Sequence, residues 1–243
     1  LLPPGKLLTE ADLRQLVALA PGSRALENLP EVTPHSLVLY GGGGHAKMLI
    51  DLLRDGGLYQ IVGLLDDGLA PGSQVMQVPV LGGGSLLPEL RRRGIALAVN
   101  AVGGIGNISA RMAVSKKLLE AGFSLPALVH PSAFVEPSAV LADGAQVFAR
   151  AYIGGEARLG IGAIASSGAI LSHDCVLEEY AIVSPGAVLA GEVSIGARAL
   201  VGMGVTINLR VRIGAGARVG NNATVNGDVP PGGVVHAGTI WPA

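Results

Sequence analysis

From Val129 onward an aliphatic residue returns at every sixth position, and a small residue follows each of them four places later. The aliphatic series runs Val129, Val135, Leu141, Val147, Ile153, Leu159, lapses once at Ala165, and continues from Leu171 to Val225. The small series runs from Ala133 through Ala169, Cys175 and Ala181 to Val229. About seventeen hexads follow one another without an insertion, which chance does not sustain. A helix repeats at 3.6 residues and a plain strand at two, so neither explains a beat of six. A short strand closed by a tight turn does. Two residues of each hexad then face inward, while Gly, Asn, Asp and Pro gather at the other positions, as turns require. The second half is therefore predicted to be a parallel β-helix.

Composition agrees with many small stacked units. Of 243 residues, 49% are hydrophobic but only 3% aromatic, and 37 are glycine, so no aromatic-centred core is expected. The formal net charge of −1 offers no basic face to nucleic acid or an anionic membrane. A single cysteine excludes an internal disulfide framework and fits a reducing compartment. No apolar run reaches a membrane span of roughly 18 residues, so a soluble, cytoplasmic protein is expected.

The first half reads differently. "SLVLYGGGGHAKMLIDLL" carries a hydrophobic strand from Leu37 to Tyr40 into four glycines and a helix beginning near His45. "YQIVGLLDD" follows as a second strand ending at Asp66 and Asp67. Glycines permit a tight turn and a close ligand, and the helix start offers free N–H groups. Gly41, Gly43 and Ala46 match a loose G-x-G-x-x-G/A pattern, with an acidic residue about twenty positions on. "GIALAVNAVGG" reads as a further strand, and "NISARMAVSKKLLEAG" as a helix capped at Asn107 and stopped by Gly122. Between Pro34 and Leu128 there is room for about four strands, half of a full dinucleotide fold. Upstream, "LTEADLRQLVALAPG" is expected to be a short amphipathic helix with Thr9 as its cap.

"LSHDCVLEEY" sets His173 and Asp174 side by side at the third and fourth places of a hexad, where folding needs neither. Taken with "GGGGHAK", "LLDD" and "LVHPSA", the chain from Ser36 to Val235 resembles the bacterial nucleotide-sugar N-acetyltransferases. The sialic acid O-acetyltransferases are similar, and both belong to the hexapeptide-repeat acyltransferases. The resemblance implies a left-handed helix with three hexads per coil, trimerisation, and active sites in the grooves between subunits. Four segments are then expected: an extension over residues 1–34 with a short helix, and a Rossmann-like nucleotide-sugar-binding domain over 35–127. A left-handed β-helix over 128–235 and a C-terminal tail over 236–243 complete the chain. With eighteen residues per coil, Gly155 and Gly191 stack on His173, about 4.8 Å away along the axis.

Residue by residue, the resemblance makes His173 the general base, Asp174 its orienting carboxylate, and Gly191 the N–H donor to the thioester oxygen. An imidazole with an ordinary pKa near 6.5 can take the proton from an attacking amine or hydroxyl. A developing oxyanion held by such an N–H gains roughly 3 kcal/mol. Acetyl-CoA is the implied acyl donor, with Gly191, Met203 and Asn221 near it. Gly41, Gly44, His45 and Lys47 match the family's glycine-rich signature, with His45 near the sugar, although a helix-start role for His45 is equally open. Asp66 and Asp67 match the pair that reads the base, and carboxylates suit the N–H edges of both uracil and guanine. Asn107 and Arg111 match a Gly-Asn…Arg segment. The chain departs from the family in "VVHAGTIWPA" at its end, in the longer "AVGGIGN", and at Ile182, where some relatives carry a second histidine.

Other readings stand beside this one. O-acetylation of sialic acid uses the same base chemistry, and a silent nucleotide-sugar-binding protein would bind ligand without thiol release. A nicotinamide enzyme would bind NAD(H), which the short domain and the repeat argue against. A zinc hydrolase on such a prism needs three convergent histidines, and His130, His173 and His236 lie several coils apart, so no metal is expected. Cys175 occupies an inward slot and reads as core. Arg91 to Arg93 read as a solvated helix face.

Overall fold

The computed structural model describes Leu26 and residues 29–242. The helix expected upstream of Leu26 lies outside the described residues. Among them, no helix is long and apolar enough to cross a membrane.

The first domain is a parallel sheet with helices on both faces. Strand β1 (Ser36–Tyr40) runs into helix α1 (Gly44–Gly56), followed by β2 (Gln60–Leu65), β3 (Gln74–Val75) and β4 (Val78–Gly82). Helix α2 (Leu87–Arg92), strand β5 (Leu97–Asn100) and helix α3 (Ile108–Glu120) complete it. The strand order is β3-β4-β2-β1-β5, with only the β3–β4 pair antiparallel. Five strands therefore stand where about four were expected. The extra pair is a hairpin turned by Met76 and Gln77, both at positive φ (47° and 65°). Such a turn usually advertises itself with Asn-Gly or Asp-Gly, so this one is silent in the sequence. All five residues of β1 are buried, as a central parallel strand requires. Leu37 and Leu39 pack on the α1 side, whereas Val38 and Tyr40 pack with Leu87, Leu90 and Leu118 on the other.

The second domain is a left-handed β-helix of two-residue strands in three parallel sheets. Register confirms the coil: Tyr152 pairs with Ile170 and Ile170 with Val188, eighteen residues apart each time. One core of aliphatic and small side chains fills the prism, including Val147, Ala151, Leu171, Cys175, Leu189 and Val193. Each fully buried Val, Leu or Ile contributes about 1.5–3 kcal/mol relative to exposure. The turns share one solution. From Gly144 to Asn222 every sixth residue is left-handed, with φ between 54° and 68°. Asp174 is one of these, at φ 58°.

The register changes near the C-terminus. Ile213 pairs with Val229, and Arg218 and Val219 with Val234 and Val235, sixteen residues on. The segment expected as a tail adds another rung, since Ile240–Trp241 pairs with Thr224–Val225. Trp241 Nε1 donates to the Asp228 carbonyl (3.1 Å), tying that rung to the shortened coil.

The two domains share a core. Leu49 and Leu53 of α1 join Phe148, Ile164 and Ile182 on the prism face built from Leu128–Val129, Gln146–Val147, Ile164–Ala165, Ile182–Val183 and Leu200–Val201. This is called the first face; the second contains Ile170–Leu171 and the third Val176–Leu177.

Candidate active site

His173 follows strand Ile170–Leu171 at the edge between the second and third faces. Its Nδ1 lies 2.8 Å from Asp174 Oδ2. The carboxylate can only accept there, so Nδ1 carries the proton and the lone pair sits on Nε2. The left-handed backbone at Asp174 turns its carboxylate back on the preceding ring, a conformation that Asp tolerates better than most residues. Stacking follows the eighteen-residue coil: Asp174 N–H donates to Gly155 O (2.9 Å), and Glu192 N–H donates to His173 O (3.0 Å).

The ring leans towards Gly191 and away from Gly155. A β-carbon at 191 would stand 2.5 Å from His173 Nε2 and Cε1, whereas one at 155 would meet Ser138 instead. Among the described residues the Gly191 N–H has no hydrogen-bond partner. A basic imidazole nitrogen and a free N–H donor thus share one edge. Beyond them Glu192 holds Arg210 through a bidentate pair (Nε to both carboxylate oxygens at 3.1 Å), which keeps the Glu192 carboxyl below its usual range. Cys175 is core: its side chain is buried, burial pushes the thiol up to about 11, and Sγ donates to Ala190 O.

The glycine-rich loop is held by the acidic residues expected to read a base. Asp66 Oδ2 accepts from Gly42 N–H (2.8 Å) and Oδ1 from the N–H groups of Gly68 and Leu69. Asp67 accepts from Tyr40 Oη (2.5 Å) and from Gly84 N–H (2.8 Å). Lys117 Nζ donates to Tyr40 Oη (2.6 Å) and lies 3.6 Å from Asp67. The Tyr40 hydrogen bond holds the Asp67 carboxyl below its usual range, and the same tyrosine raises the Lys117 ammonium. Tyr40 and Lys117 escaped the sequence reading; only the place of Tyr40, just before the glycines, hints at it. Gly41, at φ 113°, lies so close to Ala101 that a β-carbon would be 2.9 Å from its carbonyl carbon. Gly44 opens α1 with clear space around it, and Lys47 is exposed on the same helix.

His45 turns inward to the domain junction. Its Nε2 lies 2.7 Å from Gln146 Oε1, and its ring meets Phe148 edge-on. Gln146 Nε2 donates to Asn100 O, so Oε1 is the acceptor and His45 Nε2 the donor. Burial first, then the Arg111 charge, lower the His45 pKa to about 4, so the ring is neutral near pH 7. Arg111 is buried too, with Nη1 on Val102 O (2.8 Å) and Nη2 on Gly162 O (3.3 Å), and burial lowers its pKa to about 10. Asn107 caps α3 by accepting from Ala110 N–H. His45 and Arg111 therefore join the domains, and Asn107 fixes the helix start between them.

The parts do not meet within one chain. The first domain packs on the first face, whereas His173, Asp174 and Gly191 occupy the edge opposite it. Met203 and Asn221 lie on the edge between the first and second faces, joined by a bond from Met203 N–H to Asn221 Oδ1 (2.9 Å). The second face separates them from His173. Along it, Phe134, Ile170, Val188 and Ile240 stand as exposed apolar residues, with Phe134 stacked on Tyr152.

Residues 36–118 match the PglD N-terminal domain family. No curated protein matches the chain. Among solved structures, it is similar to a mutant perosamine N-acetyltransferase from Caulobacter crescentus in complex with CoA and GDP-perosamine. That match has 35% identity and a TM-score of 0.79, covering 85% of this chain and 96% of the other. The acetyltransferase domain of PglB from Neisseria gonorrhoeae, in complex with acetyl coenzyme A, is similar at 32% identity, 84% and 97% coverage, and TM-score 0.75. WeeI from Acinetobacter baumannii, at 24% identity and TM-score 0.61, shares the fold. With a glycine-looped α/β domain, an eighteen-residue coil and these relatives, the chain belongs to the nucleotide-sugar N-acetyltransferases of the hexapeptide-repeat family.

Proposed function

We propose that the protein transfers the acetyl group of acetyl-CoA to the amino group of a nucleotide-linked amino sugar. The observation carrying this reading is the His173–Gly191 edge, where a correctly tautomerised imidazole nitrogen and an unpartnered N–H lie together. The relatives crystallised with CoA and GDP-perosamine support both substrate classes.

In the reaction, the acceptor nitrogen attacks the thioester carbonyl carbon as His173 Nε2 removes its proton. Asp174 stabilises the resulting imidazolium through Nδ1–H and keeps the ring in the reactive tautomer. Gly191 N–H donates to the oxyanion as the C–O bond lengthens. Collapse of the tetrahedral intermediate breaks the C–S bond, and the thiolate leaves with the proton that His173 carries. The products are the N-acetyl sugar and the free thiol.

The working unit is a trimer in this proposal. Its support is the apolar ladder on the second face, where Phe134 is 60% and Ile240 59% exposed, more than a lone prism would leave to water. Its second support is the separation of each chain's acceptor domain from its own His173. A neighbouring copy on the second face would bring one chain's acceptor domain, and its Met203–Asn221 edge, to the next chain's His173.

Thiol release from acetyl-CoA, offered GDP-, UDP- and dTDP-linked 4-amino sugars and free sialic acid, tests the reading. Release with one nucleotide amino sugar is expected. Release with sialic acid alone would reassign the acceptor, and none with any acceptor from intact trimers would leave a binding protein.

A further inference from the structure

Among the small inward slots from Ala133 to Ala187, alanine fills every one except the slot of Cys175. The repeat thus shows that alanine suffices for folding there, and the sulfur calls for another account. Cys175 directly follows His173 and Asp174 in the same hexad. Its side chain is buried in the prism core and forms no disulfide. Sγ donates to the Ala190 carbonyl at 3.2 Å. Most turns of the prism satisfy the equivalent carbonyl from their own backbone, as Ala187 N–H does on Ser184 O and Ala199 N–H on Gly196 O. Val193 N–H makes no such bond to Ala190 O. Among the described residues, the thiol is the partner of that carbonyl.

Ala190 O belongs to the same peptide unit as the Gly191 N–H. A trans peptide is planar, so its C=O and N–H point in opposite directions. A core thiol holding the oxygen inward therefore aims the N–H outward, at the edge where His173 Nε2 lies against Gly191. Donation to the oxygen also polarises the peptide and makes its N–H the stronger donor. The next peptide is held by other groups: Arg210 N–H donates to Gly191 O (3.1 Å), and Glu192 N–H to His173 O (3.0 Å). Burial, which pushes the thiol up to about 11, keeps the donor proton on sulfur through the neutral range.

We propose that Cys175 is a positioning residue, whose thiol holds the Ala190–Gly191 peptide so that the Gly191 N–H faces the developing oxyanion. The role rests on the acetyltransferase reading, since the oxyanion is that of the acetyl-transfer step. A kinetic test on the full-length protein compares Cys175→Ala and Cys175→Ser with the wild type by thiol release, with thermal melts alongside. Cys175→Ala is expected to lower kcat about three- to tenfold, a fraction of what a whole oxyanion donor supplies. The KM for acetyl-CoA and the pH profile, which reports on His173, should stay unchanged. Cys175→Ser keeps a donor and is expected to return kcat to within about twofold of the wild type. Full kcat in Cys175→Ala overturns the proposal. So does a loss that a folded Cys175→Ser does not rescue, because the role is then packing. A raised KM or a shifted pH profile overturns it as well, giving the effect to coenzyme binding or to the base.

A second measurement needs no turnover. One cysteine gives the protein one S–H stretching band, and acetyl-CoA adds none because its sulfur is acylated. Once the thioester oxygen accepts from the Gly191 N–H, Ala190 O becomes the better acceptor for the thiol. The infrared band of the wild type is therefore expected to move to lower wavenumber on saturation with acetyl-CoA. A band that does not move while calorimetry shows acetyl-CoA bound overturns the proposal alone. Acetyl-CoA that does not bind at all overturns the acetyltransferase reading and the proposal with it, so the two failures are distinguishable.

Discussion

The imidazole of His173 covers Gly191 so closely that a β-carbon at position 191 would lie 2.5 Å from both Nε2 and Cε1. Two residues one coil apart are thus fitted to each other, and only glycine lets the ring lie against the backbone there. Gly191→Ala is expected to displace the ring and block the approach to the N–H, lowering kcat about 100-fold or more. The prism core is untouched, so the melting temperature should stay within a few degrees. Steady-state kinetics beside thermal melts check this; near-normal kcat would remove Gly191 from the site.

Asp174→Asn tests the tautomer. Asn also tolerates the left-handed backbone at 174 (φ 58°), so folding is spared. It no longer stabilises a positive ring, and kcat is expected to fall about 10- to 1000-fold with the KM for acetyl-CoA little changed. Asp174→Ala should add a loss of stability of about 1 kcal/mol from backbone strain.

His45 predicts a pH dependence of stability. Its folded pKa of about 4 lies below the ordinary 6.5, so the unfolded chain takes up a proton first as pH falls. The stabilisation is complete above the unfolded value and is lost progressively down to the folded one. Between pH 7 and 5 the loss is about 2 kcal/mol for this residue. Urea unfolding of wild type and His45→Asn at both pH values measures it; an equal pH effect in the two proteins would contradict the assignment.

Asp66 accepts three backbone N–H groups, one from the loop after β1 and two from the loop after β2. Asp66→Ala is therefore expected to cost about 1–3 kcal/mol of stability as well as weakening the acceptor. Chemical denaturation beside nucleotide titration separates the two. Weaker binding at full stability would return Asp66 to a purely base-reading role.

The prism was legible because its rule is local and repeated. Once each coil holds eighteen residues, the place of His173 fixes Gly191 as its neighbour, and the structure keeps both. The shortened coil at Val229 was hidden because Val229 satisfies the old beat and the new register alike. Asp66, Asp67 and Arg111 show a different limit of the sequence. Residue type tells that a carboxylate or guanidinium needs partners, but not whether those partners belong to a ligand or to the protein's own backbone. Here Arg111 finds Val102 and Gly162, which are 9 and 51 residues away. The β3–β4 hairpin left no mark because Met76 and Gln77 carry none of the usual turn chemistry.

The most direct test of the central claim, a site shared between copies, is a mixing experiment with two inactive variants. His173→Ala removes the base, and Gly44→Phe sets a bulky side chain at the start of α1, where a β-carbon meets nothing within 4 Å. Each alone is expected to release no thiol. If the site is shared in a trimer as proposed, co-assembly in equal amounts lets one copy supply an intact His173 and another an intact acceptor loop, and about a quarter of wild-type activity is expected to return. No recovery from verified mixed trimers would mean that both halves of each site come from one chain, contradicting the account.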